Sequence, residues 1–301
     1  MFKEMVLGLC TAMCASPLAA SSLDQQLAAA VGWAARYASF DAAKRDGWRS
    51  FGVDVPLMGQ HFRHPDGPDF VTGDRFDPTR PSNLIYAEIA GRKTLVALAY
   101  IVRKSAQDPL PEGFEGSRDI WHIHDGETFL AALSETRPLV GRFAGRWFHN
   151  TVTQQDGRMQ LAMVHLWLIP NPKGAFASHN PSLAYLDLGL PEGRAGDMAT
   201  ARGLALAQEQ GCSRTLDAEL RLSGASRGTV RRIKRACRTR AQEVRASLGG
   251  PLPQIEAVAA RAWGDLVGVV QTSLTPDEFR RSQAFVEDGP GLCREAVDAM
   301  R

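Results

Sequence analysis

The chain has 301 residues, 44% of them hydrophobic and 23% charged, with a formal net charge of +2. That balance describes a folded globular protein and argues against a disordered chain or one that coats nucleic acid through bulk charge. The length admits one large domain or two ordinary ones, and nowhere is there the run of about 18 to 20 apolar residues that a membrane-crossing helix needs.

Residues 1–21 stand apart. A lysine near the start, an apolar run from Met5 to Ala15 and the small residues Ala19, Ala20 and Ser21 have the layout of a secretory signal peptide, with removal expected between Ala19 and Ser22. The alternative is an amphipathic first helix. A leader implies a periplasmic or secreted protein, and an oxidising compartment for the three remaining cysteines, Cys212, Cys237 and Cys293. The arithmetic gives one disulfide and one free thiol. Cys212 with Cys237, across a helical hairpin, is preferred, and Cys237 with Cys293 is the alternative.

Residues 23 to 48 are predicted helical, with Leu23, Leu27, Ala30, Val31, Ala34 and Ala35 recurring at steps of three and four. From Phe51 to Leu190 glycine and proline become frequent and short alternating segments appear. Leu84–Ile89 and Thr94–Val102 flank Ala-Gly-Arg-Lys as a hairpin with a four-residue connection. Asp119 to His124 reads as a short strand. Met159 to Ile169 is apolar on both faces and is predicted as a central strand. A helix is expected within 130 to 148.

After Pro191 the pattern is helical. Asp197 to Gln210 stops at Gly211, Ser226 to Leu248 carries Val230, Ile233, Cys237, Val244 and Leu248 on one face, and a third helix follows Pro251 and Pro253 with Ile255, Val258, Ala262, Leu266 and Val269 as its stripe. Thr275-Pro276-Asp277-Glu278 is a capping-box helix start. The expected fold is α+β: an antiparallel β-sheet or partly closed barrel over 22–190, then an α-helical bundle over 191–301. The helix at 226–248 has eight Lys or Arg between Arg227 and Arg245 against one acid, Glu243. It reads first as the solvated side of an amphipathic helix; the functional alternative is contact with an acidic protein or an anionic surface. An exported protein has no nucleic-acid partner.

The chemistry sits in Trp121-His122-Ile123-His124. Alternate strand residues share a face, so His122 and His124 project side by side as a pair of imidazole ligands. His165, in an otherwise apolar strand, is costly to bury without a partner and shares its face with Met163 and Trp167. His61 lies in a short extended segment opened by Gly59. If the strands are neighbours, His61, His122, His124 and His165 converge on one mononuclear site for a divalent transition metal, copper or zinc before iron. Met163 reads as core filler. His64, His149 and His179 read as loop residues. Asp119, Asp125 and Glu127 flank the histidine pair and are second acceptors for imidazole protons or solvated loop carboxylates. Glu88 shares a face with Tyr86 and is the candidate fourth ligand or general base; its plainer reading is a salt bridge with Arg92 or Lys93.

These segments also carry a resemblance. Gly59-Gln60-His61-Phe62, Phe76-Asp77-Pro78-Thr79-Arg80-Pro81, Leu84-Ile85-Tyr86, Trp121-His122-Ile123-His124 and the run from Val164 to Pro181 are similar to motifs of a family of exported bacterial proteins of unestablished function. The match spans about residues 40 to 185, with the last run the most specific. The resemblance implies export but no activity. Relatives often read Val-Glu-Tyr where this chain has Leu98-Ala99-Tyr100, and Leu-Cys where it has Asp125-Gly126. The loss of that glutamate weakens catalysis more than metal binding.

Three functions follow. The first is an exported metal-binding protein that stores, carries or senses an ion or uses it in a reaction. The second is an interaction protein that binds a partner through its helical region. The third is a cupin-like metalloenzyme, although Glu127 follows His124 by three residues and the second cupin motif is missing.

Overall fold

A computed structural model describes residues 22–68, 70–125, 159–194, 196–208, 211–212, 220 and 224–278, without the side chains of 52, 53, 124, 125 and 159. The leader over 1–21, Glu127, the helix expected within 130–148, His149 and Cys293 lie outside them.

Helix α1 (Leu23–Ala34) starts on a capping box between Ser22 and Gln25. It does not run on to residue 48. A 3-10 turn at Ala35–Tyr37 and a break at Ser39 lead to α2 (Phe40–Arg45), and Trp48 precedes the first strand. The reason is tertiary. Trp33, Tyr37 and Trp48 pack at 5.1 to 6.1 Å, Trp48 edge to face on the other two, Phe40 lies on Phe62 and Tyr86, and the Tyr86 hydroxyl donates to the Tyr37 carbonyl at 2.5 Å. Placing those rings on the sheet outweighs the helical preference of the alanines.

The sheet has seven strands among the described residues: β1 (Arg49–Val55), β2 (Gly59–Arg63), β3 (Phe70–Val71), β4 (Asn83–Ile89), β5 (Arg92–Ser105), β6 (His122–Asp125) and β7 (Met159–Trp167). The order is β1-β2-β4-β5-β7-β6, all antiparallel, with β3 alongside the far end of β5 in parallel. Among the described residues it is open, with β1 and β6 at its edges. Of the two expected forms this is the open antiparallel sheet. As expected from its two apolar faces, β7 is interior, between β5 and β6.

The β4–β5 hairpin is tighter than the expected four-residue connection. Ala90 and Gly91 both have positive φ, 48° and 74°, and close a two-residue turn of the type that matches strand twist. One face of the sheet, bearing Leu84, Tyr86, Leu98, Tyr100, Val164 and Leu166, is covered by α1 and α2. The other bears Ile85, Ala97, Ala99, Ile101, Met163 and Trp167 and meets Leu183 of α3 (Ser182–Asp187).

The remaining helices are α4 (Met198–Leu206), α5 (Arg227–Ser247) and α6 (Leu252–Ser273). Side-chain oxygens of Asp197 and Ser226 cap α4 and α5, and the expected Thr275–Glu278 capping box is formed. A disulfide joins Cys212 to Cys237, the preferred of the two expected pairings. Ala184 and Tyr185 of α3 pack with Leu204, Ile255 and Ala259, so this short helix belongs to the sheet core and the helical core together. Buried Glu256 of α6 ties the two, accepting from the Tyr185 hydroxyl at 2.9 Å and from the Arg194 N–H at 2.5 Å. The architecture is α+β. No helix among the described residues is long and apolar enough to cross a membrane.

Candidate metal centre

His61 pairs with Ile85, Ile85 with Ala97, Ala99 with His165, and His122 with Met163 across the ladder. Register therefore assigns His61, His122 and His165 to the same sheet face, the one away from α1 and α2. All three are buried. The His165 ring is central, with centroid separations of 4.8 Å to His122 and 5.5 Å to His61. His61 is not on a neighbouring strand: β4 and β5 intervene, three strand spacings of about 4.8 Å each. Between them the same face carries Ile85 on β4 and the small Ala97 and Ala99 on β5. Ala99 is directly opposite His165.

Gly59 opens β2 with φ of +96°, and a Cβ there would sit 2.7 Å from the Tyr86 carbonyl oxygen, so glycine is required for β2 to lie close enough to β4. At the other side of the site, the segment after β7 folds back onto it. The Trp167 N–H donates to the Ala175 carbonyl at 2.8 Å, and its indole N–H to the Ala177 carbonyl at 2.6 Å. This brings the Ser178 carbonyl to 2.9 Å from His165 Nδ1. A carbonyl only accepts, so Nδ1 carries a proton in this contact. That Nε2 lies 3.2 Å from Met163 Sδ. Asn83, fully buried and on the same face, has no hydrogen-bond partner for either amide atom among the described residues.

Other candidates fall elsewhere. The backbone register pairs His124 with Leu161, next to the site on β6. Glu88 does not join the histidines. It alternates with Ile85 and so lies on the opposite face, near the hairpin tip, with Lys93 at 4.0 Å. Phe176 likewise packs on the opposite face, against Phe114 at 4.9 Å, so it is the loop's backbone rather than its ring that touches the site. His64 is structural, with Nε2 on the Asp46 carbonyl and Nδ1 accepting from the Asp66 N–H. His179 is a buried loop residue. Asp119 accepts from the Phe114 N–H at 2.8 Å, and burial pushes its carboxyl up to about 6.

Among the described residues no group of three or more His, Cys, Asp or Glu side chains stands in a geometry ready to hold an ion. What the site offers is three buried imidazoles, those of His61 and His122 on either side of His165, with a thioether beside the central ring. The residue whose part the sequence understated is Met163. Alternation places it beside His165, but only the Ser178 carbonyl decides which ring nitrogen faces it.

A second feature lies on the helices. Arg232, Arg235, Thr239, Thr272 and Ser273 line a groove of about 500 Å³ between α5 and α6. Arg240, at its end, is engaged by Glu243 at 2.7 Å and Asp265 at 3.3 Å.

Compared with protein-family models, with curated proteins and with solved structures, the chain has no significant match to any.

Proposed function

We propose that this is an exported metal-binding protein whose ion is held by His61, His122 and His165, with His124 as a further ligand from β6. The observation that supports this reading is the placement of two imidazoles 4.8 and 5.5 Å from a third on one buried face. Two imidazoles on one tetrahedral ion, with metal–nitrogen bonds of about 2.0 Å, have ring centroids roughly 5 Å apart. A hydrogen bond from the non-ligating nitrogen to a carbonyl, as His165 makes with Ser178, is the usual support of a histidine ligand. Four ligands would close the site, as suits storage, transport or sensing; three would leave a position open for a reaction. The Cys212–Cys237 disulfide favours an oxidising, extracytoplasmic location.

The second reading, an interaction protein, draws on α5. Arg227, Arg231, Arg235 and Arg238 are exposed and clustered on its outer side, with the groove beside them, and suit an acidic partner or an anionic surface. One experiment separates the two. The metal-free full chain is loaded with zinc or copper, dialysed and analysed for metal, alongside the His122→Ala/His124→Ala variant with its fold checked by circular dichroism. The first reading expects one equivalent retained by the parent and lost by the variant. No retention under any loading condition sinks it and leaves the basic helix as the functional surface.

A further inference from the structure

We infer that the groove between α5 and α6 is a binding site for a small phosphate monoester whose body carries hydroxyl groups, the chemistry of a sugar phosphate. This rests on the basic helix α5 of the second reading and is independent of metal binding by the histidines. At about 500 Å³ the groove is within the size range of small-molecule sites. Arg232, Arg235, Ala236, Thr239 and Arg240 line it from α5, and Val269, Thr272 and Ser273 from α6.

The three arginines are not equivalent, and the difference selects the ligand. Arg240 is already neutralised, by Glu243 at 2.7 Å and Asp265 at 3.3 Å. Among the described residues Arg232 and Arg235 are paired with no carboxylate. Two uncompensated positive charges one helical turn apart match the charge of about −1.5 to −2 that a phosphate monoester carries near neutral pH. A lone carboxylate would leave one guanidinium unbalanced. Arg232 is also held across the groove. Its Nε donates to Ser273 Oγ on the facing helix at 3.1 Å, which leaves its Nη groups to grip an oxyanion. Ser273 accepts there, and its own hydroxyl proton, with no acceptor among the described residues, is a third donor. Thr239 and Thr272 behave differently. Their hydroxyls donate to the Arg235 carbonyl at 3.2 Å and the Gly268 carbonyl at 2.9 Å, so each offers the groove only lone pairs. Such acceptors repel an oxyanion and suit hydroxyl donors, so they receive the body of the ligand rather than its phosphate. Ala236 and Val269 add apolar contact for the carbon skeleton of that body.

The test is calorimetric titration of the full chain, at one fixed ionic strength, with glucose 6-phosphate, inorganic phosphate, glucose and polyglutamate as separate probes. Arg232→Gln/Arg235→Gln is compared with Arg227→Gln/Arg231→Gln, which removes the same charge from α5 outside the groove. All four arginines are exposed, and circular dichroism checks that both variants fold. The parent is expected to bind glucose 6-phosphate more tightly than inorganic phosphate and to leave glucose unbound. Affinity for the ester should fall about ten-fold or more in the groove variant and by about two-fold or less in the control. Equal losses in the two variants show attraction by bulk charge and overturn the inference. Inorganic phosphate bound as tightly as the ester reduces the site to an adventitious anion and overturns it as well. So does a parent that binds no glucose 6-phosphate; polyglutamate binding in that case keeps an acidic partner for α5, and its absence removes the second reading too.

Discussion

Asp119 shows how one residue senses the fold around it. Its carboxyl accepts the Phe114 N–H, and a Cβ on Gly113 would lie 1.8 Å from its Oδ2, so the loop closes tightly over it. Burial raises its pKa from 3.8 to about 6, the Phe114 hydrogen bond offsetting only part of the rise. The fold therefore favours the protonated form. At pH values below the unfolded value the group is neutral in both states and costs nothing. As pH rises from about 4 to about 6 the unfolded chain ionises first, and stability falls. Asp119→Asn keeps an acceptor for the Phe114 N–H and removes the ionisation. Urea midpoints measured across that interval should decline in the parent chain more steeply than in the variant, and parallel profiles would exclude Asp119 as the source.

At the level of elements, several boundaries are set by partners rather than by local preference. The alanine-rich periodicity from Leu23 correctly announces α1, but the turn at Ala35–Tyr37 exists because Tyr37 must present its carbonyl to Tyr86 on the sheet. The helical bundle was more legible. Asp197, Ser226 and the prolines at the start of α6 mark helix starts, and Ile233, Cys237 and Val244 mark the buried side of α5. What could not be read is how closely α4 and α6 approach. A Cβ on Gly203 would lie 2.0 Å from the Ala259 carbonyl oxygen, a main-chain atom that has no freedom to rotate away. Gly203→Ala should accordingly destabilise the protein by about 1–3 kcal/mol through overpacking, despite alanine's better helix propensity. A denaturation midpoint equal to the parent's would show that the two helices are free to separate.

For the molecule as a whole, the cross-link and the shared helix α3 decide how the two cores are coupled. The Cys212–Cys237 bridge closes a loop with a sequence separation of 25 and anchors the start of the helical region to the buried side of α5. On chain-entropy grounds, a loop of that size contributes about 3 kcal/mol. Cys212→Ser/Cys237→Ser should lower the urea midpoint accordingly, and a reductant should lower the parent's midpoint while leaving the variant's unchanged. No difference between the two proteins would mean that the bridge constrains only chain already restricted when unfolded. Contacts also run across the division expected at residue 190. Tyr185 lies before it and Glu256 after it, yet burial and Glu256 push the Tyr185 hydroxyl's pKa up, and the pair holds α3 against α6.

Periodicity, capping residues and turn chemistry act over a few residues. They were enough to establish an α+β chain, an interior β7, a β4–β5 hairpin, three capped helices and a His-x-His strand. They also singled out His61, His122, His124 and His165, with Glu88, as the candidate site, since buried imidazoles in apolar strands demand partners wherever the strands lie. Strand order was beyond that reach. Which strands separate His61 from His165, that Ile85, Ala97 and Ala99 lie between them, that Glu88 falls on the opposite face, and that the Ser178 carbonyl turns His165 Nε2 toward Met163 all depend on contacts between distant segments. Those contacts are chosen by packing and hydrogen-bond satisfaction over the whole sheet, and no local pattern encodes them.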